Sequence, residues 1–114
     1  MEKKVEYNFV TGFVGDVLLS MERSYKVFKS RYRHVKVGIT GRDLQERFNE
    51  HLKEKGWNRM VVRYRTSSER FANVAEKYFM NKHVELDNSW TGYSPLTDGP
   101  YDYVYFLLSG ELKK

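Results

Sequence analysis

The chain has 114 residues, a formal net charge of +5 and no cysteine, and 16% of its residues are aromatic. This length fits a single domain, 1–114, with enough apolar material for a packed core. The lack of cysteine excludes disulfides, cysteine-ligated zinc and a thiol nucleophile. No signal-peptide core begins the sequence, and no apolar run approaches the roughly 20 residues that span a bilayer. We therefore expect an intracellular protein, cytoplasmic or, in a eukaryote, nuclear, with no membrane association and a preference for polyanionic partners.

Residues 1–23 are predicted to form a helical N-terminal extension. Apolar side chains recur at every fourth position between residues 8 and 21, for example at Phe9, Phe13 and Val17, which is the helical period. Glycines in the same stretch lower the helical preference, so a strand or a bent helix is the alternative for this segment.

Two short strands are predicted next, at residues 24–28 and 34–39. Val35, Val37 and Ile39 alternate with other residues, which is the period of a strand. The segment between the two strands is polar and favours a turn. We therefore expect an antiparallel hairpin.

The rest of the chain is predicted to alternate between helices and strands. Thr40 and Asp43 form a capping-box pattern that starts a helix, which continues to about residue 55. A strand at 59–65, a helix at 68–83, a loop at 85–100 and a strand at 101–108 follow. The order (α)ββαβαβ predicts an α+β fold in which a small, three- to four-stranded, mostly antiparallel sheet is flanked by helices, with its core at 24–109.

Several polar residues in these elements have a spacing that resembles the GIY-YIG nuclease superfamily. In that family two hairpin strands each carry a tyrosine, and the next helix carries an arginine and often a histidine one turn later. A later helix supplies a metal-binding glutamate, and an asparagine follows it. The corresponding positions here are Tyr25, Lys36 to Gly38, Arg47, His51, Glu76 and Asn88. The resemblance covers about residues 25–108 and implies a GIY-YIG-like fold.

The departures from the family concern its two name-giving motifs. Arg23 and Ser24 precede Tyr25, so the first motif keeps only its tyrosine, and Lys36 replaces the second tyrosine. Several branches of the superfamily carry lysine there, in a K-[IV]-G form, and the chain resembles that subtype. The substitution leaves open which group acts as the general base.

The resemblance implies a metal-dependent endonuclease that hydrolyses phosphodiester bonds, with Mg²⁺ or Mn²⁺ as its cofactor. Glu76 is the expected metal ligand, and Arg47 offers a planar fork that grips phosphate oxygens. Glu76 also borders the apolar face of its helix, where a carboxylate needs a cationic partner. A salt bridge is the competing explanation for Glu76, and an ion pair with Asp43 is the competing one for Arg47.

Proton transfer is expected to involve Tyr25 and Lys36. Tyr25 would take the proton from the attacking water with help from the Lys36 ammonium, or Lys36 would be the base itself. His51 would orient water or contact phosphate, and Gly38 and Asn88 are supporting residues. Each of these side chains also has an ordinary explanation, as a strand tyrosine, a solvated lysine, a surface histidine or an asparagine in a turn.

Arginines in or beside the predicted strands favour a nucleic-acid substrate, because a basic surface with interleaved aromatics suits a phosphate backbone and exposed bases. Arginine also protects ordinary sheet edges from aggregation, which is the competing explanation. DNA is favoured over RNA by family analogy, and specificity would require a homodimer or a separate partner. The expected nucleic-acid contacts are Arg31, Arg33, Arg59, Arg63 and Arg65.

Three alternatives remain open at this point. The first is a catalytically inactive nucleic-acid-binding module of the same fold. The second is an RNA-recognition sheet, in which Tyr101, Tyr103 and Tyr105 alternate on one strand face and stack bases. The third is a structural or interaction domain that is basic for unrelated reasons.

Overall fold

The structure is a computed structural model that describes residues 4–41, 44–55, 57–83 and 101–111. The predicted loop at 85–100, with Asn88, lies outside the described residues. The backbone of His51 is described, but its side chain is not.

Helices and strands alternate along the described chain. They are β1 (Lys4–Val10), α1 (Val14–Arg31), β2 (Tyr32–Thr40), α2 (Leu44–Lys55), β3 (Arg59–Thr66), α3 (Glu69–Lys82) and β4 (Asp102–Glu111). The strands form one sheet in the order β1-β3-β4-β2, in which β1 and β3 are parallel and the other two pairings are antiparallel. The predicted α+β class, with a four-stranded, mostly antiparallel sheet flanked by helices, is confirmed.

The N-terminal segment differs from its prediction because β1 occupies residues 4–10 and the helix begins only at Val14. The fourfold spacing of apolar residues could not reveal that β1 pairs with β3, a strand more than 50 residues away. Gly12 makes the turn between the two elements, with φ at +124°, a conformation that is essentially restricted to glycine. The Tyr64 hydroxyl donates a hydrogen bond of 2.7 Å to the Gly12 carbonyl and holds this turn against β3.

The predicted hairpin is wrong, because residues 24–28 belong to α1. The helix buries Val14, Val17, Met21 and Tyr25, which recur every three or four residues along one face. This helical period of buried residues extends to Tyr25, inside the 24–28 segment that was predicted to be a strand. The antiparallel neighbour of β2 is instead β4, from the other end of the described chain. The observed order is therefore βαβαβαβ instead of (α)ββαβαβ.

The sheet separates two helical layers. Helices α1 and α3 pack on one face against Val61, Val104, Phe106 and Leu108, among others. Helix α2 packs on the opposite face with Leu44 and Phe48, against a second cluster that contains Trp57, Met60, Val62, Tyr105 and Leu107. Because side chains alternate along a strand, the central strand β4 supplies buried residues to both layers. None of the helices in the described ranges is long and apolar enough to cross a membrane.

A bulge in β3 changes which side chains face each layer. The register with β4 shifts between Val62 and Tyr64, so Arg63 is the extra residue in β3. As a result Val61 and Tyr64 both pack in the layer of α1 and α3. Arg65, the next residue, faces the α2 side of the sheet with Phe9 and Tyr101.

Candidate active site

A buried tyrosine from β4 faces the glycine of the Lys36 to Gly38 segment. Tyr105 is paired with Gly38 in the register of β4 and β2, and only 1% of Tyr105 is exposed. A Cβ atom on residue 38 would lie 2.6 Å from the Tyr105 hydroxyl oxygen and 2.7 Å from Cζ. These distances are shorter than van der Waals contact. Glycine at this position therefore leaves the space that the Tyr105 hydroxyl occupies.

The positively charged side chain of Arg47 contacts the Tyr105 hydroxyl. It lies in the first turn of α2, and its guanidinium hydrogen-bonds to the hydroxyl of Tyr105 and donates to the Glu50 carboxylate at 2.8 Å. Burial lowers the pKa of Arg47, but the charge interaction with Tyr105 and the hydrogen bonds to Glu50 and Tyr105 outweigh burial and leave the pKa raised. The predicted pairing of Arg47 with Asp43 involves a residue outside the described ranges.

Glu76 contributes a carboxylate from the other helical layer. It is half-buried on α3, between Ala72 and Ala75 on the buried face and the exposed Lys77. Burial raises the pKa of Glu76, while the charges of Lys36, Lys77 and Arg47 lower it in part. The pKa is raised overall, so the nearby cations do not fully compensate the carboxylate for its loss of water.

The charged residues of this cluster come from β2 and from helices in both layers. Lys36 and Gly38 alternate with the buried Val35 and Val37, and β2 is an edge strand. Glu76 on α3 and Arg47 on α2 belong to opposite layers, yet the two side chains interact electrostatically. Lys36, Arg47 and Glu76 were predicted to share a site; Glu76 interacts electrostatically with both cations, and the shared site stays a prediction.

Tyr25 has a different location from the one predicted. It lies on α1 in the opposite layer from α2 and is 2% exposed. Its ring centroid is 4.2 Å from that of His83, 6.0 Å from Phe79 and 6.2 Å from Phe106. Because its strand and hairpin do not form, Tyr25 is a core residue on the far side of the sheet from Tyr105. The alternation of tyrosines in 101–108 predicts that Tyr105 shares one strand face with Tyr101 and Tyr103. It does not predict which strand pairs with that segment.

Two of the predicted nucleic-acid contacts are engaged inside the fold. Two nitrogens of Arg59 donate to the carboxylate of Glu6, one of them at 2.7 Å, and these bonds raise the pKa of Arg59 above its usual value. Arg63 is only 8% exposed and donates to the Asn8 carbonyl and to the Ser20 hydroxyl. Burial lowers the pKa of Arg63. Both arginines tie β3 to β1 or α1, so their guanidinium groups already have partners within the fold.

Of the other three predicted contacts, two are exposed and one is half-buried. Arg31 and Arg33 are exposed where α1 ends and β2 begins. Arg65 is half-buried, with its guanidinium carbon 4.9 Å from the ring centroid of Phe9 and 4.5 Å from that of Tyr101. Arg31 and Arg33 therefore lie near one end of the sheet, and Arg65 lies near the other.

The chemistry of Glu76 fits a hard divalent cation. Its raised pKa means that a further positive charge would stabilise the ionised carboxylate. One carboxylate can hold Mg²⁺ when water and phosphate oxygens complete the coordination. No group of three or more acidic or histidine side chains suited to a metal is found among the described residues.

Comparison of the chain with protein-family models, curated proteins and solved structures finds no match.

Proposed function

We propose that this chain is a metal-dependent endonuclease that hydrolyses phosphodiester bonds in nucleic acid, with DNA favoured over RNA. Its reaction centre would consist of Lys36, Arg47, Glu76 and Tyr105, assisted by Gly38. The observation that carries the proposal is the buried Tyr105 hydroxyl, which lies against Gly38 and within a hydrogen bond of Arg47. A general base would thereby lie next to a phosphate-binding cation, and the half-buried Glu76 carboxylate interacts electrostatically with that cation from the other helical layer.

The proposal keeps the resemblance to the GIY-YIG superfamily but changes the residue that supplies its first tyrosine. In that family two antiparallel neighbouring strands carry the name-giving motifs. Here β4 and β2 are antiparallel neighbours, and Tyr105 faces the Lys36 to Gly38 segment across that pairing. The strand of the first motif would therefore come last in the described chain, so that the order of elements is permuted relative to the family.

In this mechanism Tyr105 acts as a phenolate and takes the proton from the water that attacks phosphorus. Because Tyr105 is 1% exposed, the contacts that cover its oxygen must part to admit that water. The Arg47 guanidinium favours this phenolate before it accepts the proton, and the proton transfer neutralises the Tyr105 oxygen. A guanidinium has five N–H donors, so Arg47 can keep its bonds to Glu50 and Tyr105 and still donate to a phosphate oxygen. Lys36 adds positive charge at the edge of the sheet, where the transition state gains negative charge.

Glu76 would hold the divalent ion, Mg²⁺ or Mn²⁺. When bound, the ion would supply Lewis-acid polarisation of the phosphoryl oxygen and shielding of the leaving group. The protein's own contribution is to keep the Glu76 carboxylate half-buried, so that its charge is directed to the ion instead of being screened by water. Substrate selectivity would come from a second copy of the chain or from a separate partner.

Nicking of supercoiled plasmid tests the proposal and the identity of the tyrosine together. Wild-type protein should nick with Mg²⁺ or Mn²⁺ and stop when EDTA is added. Tyr105→Phe should lose at least about 100-fold in rate, the lower range for loss of a general base, whereas Tyr25→Phe should cut normally. The two substitutions remove the same atom from two buried tyrosines. A defect in Tyr25→Phe with normal cutting by Tyr105→Phe would contradict this assignment.

An inactive nucleic-acid-binding module is the second candidate, and the engagement of Arg47 with Glu50 favours it. That ion pair offsets part of the positive charge that would stabilise the transition state. This candidate predicts salt-dependent binding of nucleic acid with no nicking under any metal. The open RNA-recognition sheet has less support, because α2 covers Tyr105 and leaves it 1% exposed.

A further inference from the structure

A stack of aromatic and guanidinium groups lies on the α2 side of the sheet, at the end where β4 begins. Tyr101 and Phe9 flank the guanidinium of Arg65, whose central carbon is 4.5 Å and 4.9 Å from their ring centroids. Tyr103 packs edge-on against Phe9, with ring centroids 6.2 Å apart. We call Phe9, Arg65 and Tyr101 the Arg65 stack.

The Arg65 stack differs from the internal arginine pairs of the fold. Arg59 is held by a carboxylate, but within the described part of the chain the buried Nε of Arg65 has no hydrogen-bond partner. Its planar group is therefore positioned by ring faces, which contribute cation–π attraction. Tyr101 is 40% exposed, so the outer layer of the stack is accessible from solvent.

The stack shares a sheet face with the proposed reaction centre. Tyr103 and Tyr105 both belong to the α2 cluster, and Tyr101 follows the same alternation. At about 3.3 Å per residue, Tyr101 lies about 13 Å along the chain from Tyr105. A strand of nucleic acid with a phosphodiester at Tyr105 and Arg47 would thus reach Tyr101 within a few nucleotides.

We propose that the Arg65 stack binds an unpaired nucleobase of the substrate strand. Every base has a π-face, so aromatic rings and a guanidinium plane bind bases with little sequence preference, and a base must leave its duplex partner to stack on them. The substrate class is therefore a nucleic acid with an unpaired segment beside the cleaved bond, rather than a continuous duplex. The position beside the bond rests on the proposed function, but base stacking does not.

Fluorescence anisotropy in EDTA tests the stack without cleavage. The probes are fluorescein-labelled dT12, rU12 and a 12-base-pair DNA duplex. Wild-type protein should bind dT12 or rU12 more tightly than the duplex, and comparison of these two oligomers identifies the sugar that the protein prefers. Tyr101→Leu should weaken binding of the preferred oligomer by about 5- to 100-fold, the effect of one stacked base. Preference for the duplex would overturn the proposal.

Two further variants separate stacking from other effects. Phe13→Leu makes the same kind of change at a 62% exposed ring that packs on Phe71, away from the stack, and should bind like wild type. Arg65→Lys keeps the charge but loses the planar face, so binding should weaken while its salt dependence is unchanged. Normal binding by Tyr101→Leu with a wild-type melting curve would overturn the proposal. If binding behaves as expected but plasmid, dT12 and rU12 all stay uncut with Mg²⁺ or Mn²⁺, the stack stands and the proposed endonuclease activity fails.

Discussion

At the scale of single residues, Gly38 and Tyr105 depend on each other. The hydroxyl of Tyr105 occupies the volume that any other side chain at position 38 would need. Tyr105 is almost fully buried between β2 and α2, so its ring has little room to move aside. The glycine of the K-[IV]-G segment therefore determines where the hydroxyl meets Arg47.

Gly38→Ala is expected to reduce nicking by 10-fold or more, since a displacement of about 1 Å at a reacting group can cost on the order of 100-fold. The added Cβ atom on residue 38 would force the Tyr105 ring away from its position beside Arg47. Gly15→Ala is the matched control, because the added Cβ would meet only the side chain of the exposed Phe13, at 3.0 Å and 3.3 Å. Plasmid nicking assays on both variants check the expectation, and full activity in Gly38→Ala would contradict it.

Glu76 is expected to be unfavourable for stability and necessary for activity. Its folded-state pKa is raised by burial, so the ionised carboxylate costs folding free energy above that pKa, and the cost disappears as the pH falls below the ordinary value of 4.5. Glu76→Gln should therefore unfold at equal or higher urea concentration than wild type at pH 7, with the difference shrinking towards pH 4. The same variant should not nick DNA. A clear loss of stability at pH 7 would indicate that Glu76 is a structural ion-pair residue.

At the scale of secondary-structure elements, α1 and α3 are joined by a polar contact at one end of their shared core. The Glu22 carboxylate accepts from Lys82 Nζ at 2.8 Å and also meets the His83 ring. The Glu22 side chain is only 14% exposed. The contact lies next to the packing of Tyr25 on His83, so it helps fix the C-terminus of α3 against α1.

Glu22→Gln is expected to destabilise the protein by about 1 kcal/mol at pH 7. Burial raises the pKa of Glu22, but hydrogen bonds and charge interactions with Lys82 and His83 outweigh it and leave the pKa below 4.5. A lowered carboxylate pKa gives stability above the unfolded value that is lost as the pH falls through the folded value. Urea unfolding should thus show a difference from wild type at pH 7 that fades below pH 4. Lys26→Gln, exposed on the same helix, serves as the control.

The elements from β2 onwards could be predicted from local sequence, whereas β1 and the second half of α1 could not. The period of Leu44 and Phe48 identifies α2, and the alternation in 101–108 identifies β4. By contrast, residues 4–10 form a strand only because β3 pairs with them from far along the chain. Residues 24–28 carry a strand-like composition, but the helical stripe that ends in Tyr25 places them in α1.

The same distinction holds for the candidate site. Lys36, Arg47 and Glu76 could be selected from their spacing because each lies in an element with a strong local pattern. Tyr105 could not be selected, because its relation to Gly38 is a strand pairing between residues 67 positions apart in sequence (105 − 38). Local patterns identify elements, whereas the partner of a strand is decided by packing of the whole chain.

At the scale of the whole molecule, β4 joins the other strands into one sheet and contributes to both helical layers. It is bonded to both β2 and β3, and it supplies buried side chains to both helical layers. Without it, the sheet would separate into the β1–β3 pair and an isolated β2.

A chain shortened to residues 1–100 is therefore expected to lack a cooperative thermal transition and to lack nicking activity. Both cores would lose their central strand, which contributes Val104 to Leu108, all buried. Circular dichroism during heating checks the first expectation, and plasmid nicking checks the second. Addition of a synthetic 101–111 peptide is the control, since recovery of the transition would assign the defect to β4 itself. A cooperative transition in the shortened chain alone would contradict the central role of β4.

The late position of β4 also has a consequence during protein synthesis. Ribosomes extend a chain from its N-terminus at about 5–20 residues per second, so β2 and β3 emerge before the strand that joins them. Until Asp102–Glu111 has left the exit tunnel, Gly38 and Arg47 have no tyrosine to meet. If the protein is the nuclease that we propose, no partly translated chain can cut nucleic acid before β4 has joined the sheet.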